Sequence, residues 1–82
     1  MSIQHNNNMK NKDKRNKILG FNIKVERFRK RLTQFTLAEL TNVSESTISL
    51  LERGQQTPSI FLVYDIAKVL NININELLKD ID

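Results

Sequence analysis

Between positions 33 and 53 the sequence interleaves side chains that can form directed hydrogen bonds with apolar ones: Thr33, Gln34, Ser44, Glu45, Ser46, Thr47, Ser49 and Arg53. They supply hydroxyls, an amide, a carboxylate and a guanidinium, a set that can hold the polar edges of a ligand. It is poorly equipped to break bonds. There is no Cys to act as a nucleophile, no glycine-rich phosphate loop, and the acids fall at helix starts or on solvated faces. The single His, His5, sits in a polar N-terminal stretch, where a catalytic or metal role is not expected. No catalytic residue, no metal site and no cofactor are expected, and without Cys neither a disulfide framework nor a Cys-based zinc site can reinforce the core.

The elements that must position these groups are short helices. Leu37, Val43, Ile48 and Leu51 are spaced as the apolar face of two helices meeting at a corner, with Ala38 where a larger side chain would push them apart. The corner falls at Asn42, which tolerates the positive φ of a sharp turn better than most residues. Ser44 follows as an N-cap. The pattern is a helix-turn-helix, with a second helix from Gln34 to about Thr41 capped by Thr33, and a third from Glu45 to Arg53 stopped by Gly54. Ahead of it, Ile18, Phe21, Val25, Phe28 and Leu32 recur at three- and four-residue steps, which predicts one buried face of a first helix from Lys17 to about Arg31. After Pro58, Ser59 offers an N-cap for a fourth helix carrying Leu62, Val63, Ile66, Ala67 and Leu70. Asn73 and Glu76 read as a capping box for a fifth, Ile74 to about Lys79. No stretch alternates long enough to argue a strand.

Eighty-two residues allow one small domain, here 17–82, preceded by residues 1–16, a polar, cationic segment expected to be a disordered arm. The net charge of +4 is unevenly spread: residues 1–34 hold ten Lys/Arg against two acids, and residues 35–82 hold three against seven. A basic end suits nucleic acid or, less specifically, an anionic membrane surface. No apolar run is long enough for a membrane span or a signal peptide, so a soluble, cytoplasmic protein is expected.

The run Asn22-Ile-Lys, Arg27, Leu32-Thr-Gln, Leu37-Ala-Glu-Leu, Val43-Ser, Thr47-Ile-Ser, Glu52-Arg-Gly, Pro58, Ile66-Ala-Lys, Leu70-Asn-Ile and Glu76-Leu-Leu resembles the Cro/C1 (Xre) family of bacterial and phage DNA-binding regulators. The resemblance covers roughly residues 18 to 79. It implies an all-α, compact five-helix lambda-repressor-like domain whose partner is double-stranded DNA. Arg27 and Glu52 occupy the family positions of a buried ion pair. Thr33, Gln34, Thr47 and Arg53 match positions that face the phosphate backbone, while the loop after Gly54 carries Gln55, Gln56 and Thr57 where many members have Lys or Arg.

A helix in the major groove leads with its N-terminal residues, so the base-reading set would be Glu45, Ser46, Ser49 and Leu50. Glu45 can accept from cytosine N4, the serines can donate or accept, and Leu50 can touch a thymine methyl. Glu45 is equally accounted for by its favourable place in the first turn of a helix. Direct reading by so small a domain usually takes two copies, so a homodimeric regulator, a repressor in the first instance, is expected, with Ile60, Phe61, Ile74 and Leu77 as its contact. The alternative is an antitoxin-like interaction module whose main partner is a small protein.

Overall fold

The computed structural model describes the backbone of residues 2–82 and the side chains of residues 12–82. All regular structure among the described residues is helical: α1 (Ser2–Arg29), α2 (Gln34–Leu40), α3 (Glu45–Glu52), α4 (Ile60–Val69) and α5 (Asn75–Leu78). The helix ends at residues 29, 40 and 52 fall one or two residues short of the expected ones, because the chain closes each helix with the same tight motif.

At all four corners between helices one residue enters the left-handed region: Arg31 (φ 58°), Asn42 (60°), Gly54 (72°) and Asn71 (56°). Its N–H donates three residues back, and the next N–H donates five residues back. Examples are Asn42 to Glu39 O (3.2 Å) with Val43 to Ala38 O (3.0 Å), and Gly54 to Leu51 O (3.0 Å) with Gln55 to Leu50 O (2.9 Å). This is the Schellman arrangement, which satisfies carbonyls a helix end would otherwise leave open. Asn42 and Gly54 were expected to take this role; Arg31 and Asn71 do so as well. The residue after the corner is apolar in three cases, and Leu32, Val43 and Ile72 each pack against the core.

Helix starts are equally explicit. Thr33 Oγ1 accepts from Thr36 N–H (3.0 Å), Ser44 Oγ from Thr47 N–H (3.1 Å) and Ser59 Oγ from Leu62 N–H (3.1 Å). Each cap satisfies an orphan donor and contributes about 1 kcal/mol. The capping box expected at α5 forms only in part. Asn73 Oδ1 accepts from Asn75 N–H (2.9 Å), but Glu76 turns instead toward Lys79 (3.6 Å), and the helix begins one residue later than Ile74.

The core is built from Leu19, Ile23, Leu37, Ala38, Ile48, Leu51, Val63, Ile66, Ala67, Leu70 and Leu77. This corrects the register of α1. Phe21 and Phe28 are 64% and 58% exposed, Ile18 and Val25 are half-buried, and the face turned inward carries Leu19 and Ile23 with Asn22, Glu26 and Arg27. Asn22 passes burial because it has partners: its Nδ2 donates to Leu77 O and Lys79 O (both 2.9 Å), tying α1 to the C-terminal end of the domain, while Glu26 has only Arg29 at 3.5 Å.

α1 also extends ahead of Lys17, where the apolar periodicity begins. Residues 12–16 are helical, with Lys17 and Asp13 paired at i,i+4 (3.5 Å) and Asn16 Nδ2 donating to Thr57 Oγ1 (2.7 Å). The rest of the arm read from the sequence involves residues 1–11, whose side chains lie outside the described residues.

Candidate nucleic-acid interface

Two close approaches fix α3 against α1. Gly20 lies where the α3 backbone passes: a Cβ there would stand 2.2 Å from Leu51 O and 2.8 Å from Glu52 O. Gly54, just past α3, is pressed against Lys17, whose Cγ and Cα would lie 2.6 and 2.7 Å from an added Cβ. The backbone of α3 can come this near only because side chains are absent.

Across the same seam runs a buried charge network. Arg27 Nε donates to Glu52 Oε2 (2.6 Å) and Nη2 to Oε1 (2.9 Å), a two-point contact with side chains 7% and 3% exposed. Arg27 Nη1 also donates to Leu32 O (2.7 Å), which joins the α1–α2 corner to the network. Gln34 Nε2 donates to Glu52 Oε1 (3.0 Å), so the first residue of α2 is locked to the last of α3. A resemblance alone suggested Arg27–Glu52; the bond from Gln34 was not foreseen.

Outside this seam the helices present a shallow depression of about 470 Å³ lined by Gln34, Glu45, Ser46, Ser49, Leu50 and Arg53. All four expected base-reading residues and two of the expected phosphate contacts therefore line one surface. Gln34 keeps an amide hydrogen and its carbonyl oxygen beyond the bond to Glu52. Arg53 spends Nε on Ser49 O (3.3 Å), leaving four N–H donors on its two terminal nitrogens. Thr33 and Thr47 are elsewhere engaged: Thr33 Oγ1 donates to Thr36 Oγ1 (3.0 Å) while capping α2, and Thr47 Oγ1 lies 2.9 Å from Ser44 Oγ.

The expected dimer residues divide. Ile60 and Phe61 are 63% and 77% exposed at the start of α4, whereas Ile74 is half-buried against the core. Leu77 is fully buried and is removed from the contact: its spacing on a short helix suited either side of α5, and the inward side is the one that closes against α1. Gly20 was missed by sequence reading, although a glycine inside a helical pattern costs about 1 kcal/mol against Ala and so asks for a packing reason.

Among the described residues, no group of three or more His, Cys, Asp or Glu is placed to hold a metal ion, and no helix is long and apolar enough to cross a membrane. Two helices set by a left-handed corner, the second offering its polar N-terminal half to solvent, define a helix-turn-helix DNA-binding fold. The Helix-turn-helix family (HTH_3) matches residues 24–77, and the chain belongs to this Cro/C1-type family, one of transcriptional regulators and not of enzymes. It is 38% identical over 60 residues to the uncharacterized HTH-type transcriptional regulator YazB of Bacillus subtilis, covering 73% of this chain and 87% of the relative. It is 44% identical over 46 residues to an uncharacterized HTH-type transcriptional regulator of Archaeoglobus fulgidus, covering 56% of this chain and 66% of that relative, just under two thirds of its length. The crystal structure of the restriction-modification controller protein C.AhdI from Aeromonas hydrophila superposes with a TM-score of 0.73 at 32% identity, over 76% of this chain and 94% of that one.

Proposed function

We propose that this chain represses transcription by binding a pseudo-palindromic operator as a homodimer, with α3 of each copy in the major groove. The observation that carries the reading is the shared surface: Glu45, Ser46, Ser49 and Leu50 line one depression with Gln34 and Arg53 at its margins. Base-edge contacts would come from the first four, and phosphate contacts from Gln34 and Arg53, with lesser contributions from the capping hydroxyls of Thr33 and Thr47. The reading surface holds no Lys and a single Arg. Sequence preference then rests on hydroxyl, carboxylate and methyl contacts, and much of the affinity on the basic N-terminal third. Ile60 and Phe61, open at the start of α4, are the contact between copies, with Ile74 at its edge.

Selection of bound sequences from a random duplex pool with the purified chain tests this. A pseudo-palindrome with half-sites about one helical turn apart is expected. Recovery of no enriched sequence would remove operator binding, and enrichment of a single unrepeated half-site bound by a monomer would remove the dimer.

A further inference from the structure

The end of α1 that reaches past the core is held against the loop that follows α3. Lys12, Asn16 and Gly20 stand at four-residue steps along one face of α1. Gly20 meets the last carbonyls of α3, Lys17 is pressed on Gly54, and Asn16 Nδ2 donates to Thr57 Oγ1 (2.7 Å). These contacts tie the helix to α3 and its loop, so Lys12, one turn beyond Asn16, is carried beside that loop.

There Lys12, Asp13, Asn16, Gly54 and Gln55 line a shallow depression of about 320 Å³. Its one acid, Asp13, is engaged with Lys17 at 3.5 Å. Lys12 is exposed and forms no ion pair with any described residue. Gln55 spends its backbone N–H on Leu50 O (2.9 Å), and its side chain is exposed. An ammonium has three donors and no acceptor, and the amides of Gln55 and Asn16 have hydrogens left to give. Together they match the oxygens of a phosphate.

The place points the same way as the chemistry. Arg53 lines the α2–α3 depression, and the next two residues, Gly54 and Gln55, line this one. Two residues of chain reach at most about 7 Å, and phosphates recur about every 3.4 Å along the axis of one DNA strand. A strand lying over Arg53 therefore brings its next phosphates to Lys12 and Gln55.

We propose that Lys12, with Gln55 and Asn16, forms a second phosphate clamp on the DNA strand that passes Arg53. Such a clamp presupposes the duplex binding through α3 proposed above, and adds to it a contact from outside the helix-turn-helix. Residues 54–57 contain no Lys or Arg, so the cation comes from α1. The clamp fixes how the domain sits on the duplex and carries no base preference of its own.

The test is the affinity of the full chain for a mixed-sequence duplex, followed by fluorescence anisotropy across a range of salt. Lys12→Ala should weaken binding about 3- to 10-fold and flatten the slope of log affinity against log salt by about 0.9, the share of one phosphate. Lys14→Ala removes the same charge two residues away, from a side chain that lines a different depression with Asp80 and Asp82, and should leave the slope nearly unchanged. Lys12→Ala combined with Arg53→Ala should flatten the slope by about 1.8, since each side chain gives up its own phosphate. Lys12 is exposed, so Lys12→Ala should keep the parent melting temperature and recover the parent's sequences from a random pool. Equal effects of Lys12→Ala and Lys14→Ala would overturn the clamp and leave general charge as the cause. So would an unchanged slope for Lys12→Ala in a chain that still binds duplex, a result that leaves operator reading by α3 standing. A parent chain that binds no duplex removes both.

Discussion

Replacing Arg27 with Met removes both bonds to Glu52 (2.6 and 2.9 Å) and the bond to Leu32 O (2.7 Å), and leaves the Glu52 carboxylate 3% exposed with Gln34 as its remaining partner. Breaking one side of such a pair costs about 3–5 kcal/mol, because the surviving charge stays buried without compensation. A domain of this size holds roughly 5–10 kcal/mol in all and loses about 4–8 °C of melting temperature per kcal/mol. A fall of about 12–40 °C is therefore expected in a thermal melt followed by circular dichroism, and the largest falls in that range leave the chain partly unfolded at ordinary temperatures. Lys30→Met, at an exposed position of the same basic segment, should stay within about 0.5 kcal/mol of the parent. The sharper comparison is the double substitution Arg27→Met with Glu52→Met. Two apolar side chains in place of a buried pair recover much of the loss, so the double variant should melt above either single one. If the single losses simply add, the pair is not coupled; if Arg27→Met matches Lys30→Met, the buried geometry is wrong.

Gly20→Ala should destabilise by about 1–3 kcal/mol in denaturant titration, although Ala is the better helix former, since a Cβ 2.2 Å from Leu51 O forces α3 to move. Ser46→Ala and Leu50→Ala should each change the preferred base at one operator position by roughly 1–3 kcal/mol in a binding competition, while Arg53→Ala lowers affinity for all sequences alike. Arg53→Ala should also flatten the slope of log affinity against log salt by about 0.9 for the one phosphate it gives up. Ile60→Ser with Phe61→Ser should weaken self-association in sedimentation without lowering the melting temperature, both side chains being exposed.

Corners and caps were legible in the sequence because they are local. Asn42, Ser44, Thr33, Ser59 and Gly54 act through hydrogen bonds to residues three positions away, and their chemistry is visible in the string of letters. The face of α1 was not, since two apolar stripes compete there. Phe21 and Phe28 give the heavier periodicity, while the face that turns inward includes the polar residues Asn22, Glu26 and Arg27, and the burial of Asn22 and Arg27 depends on partners as distant as Glu52, Leu77 and Lys79. A reading by hydropathy ranks those positions last. Leu77 misled in the converse way, because an apolar residue on a four-residue helix fits a core and a contact surface equally until the partner helix is in place.

The two sides of α3 share no residue: Ile48, Leu51 and Glu52 face inward, and Glu45, Ser46, Ser49 and Leu50 line the open depression. Anchorage is thus separated from vocabulary. Outward-facing substitutions typically shift stability by only about 0.5 kcal/mol either way, so, with those four positions as the proposed base readers, a lineage descending from this chain has room to explore new target sequences there while the scaffold stays folded. Changes at Glu52 have no such latitude, being answerable at once to Arg27 and Gln34. Duplicated copies could drift apart in what they bind while still melting at nearly the same temperature.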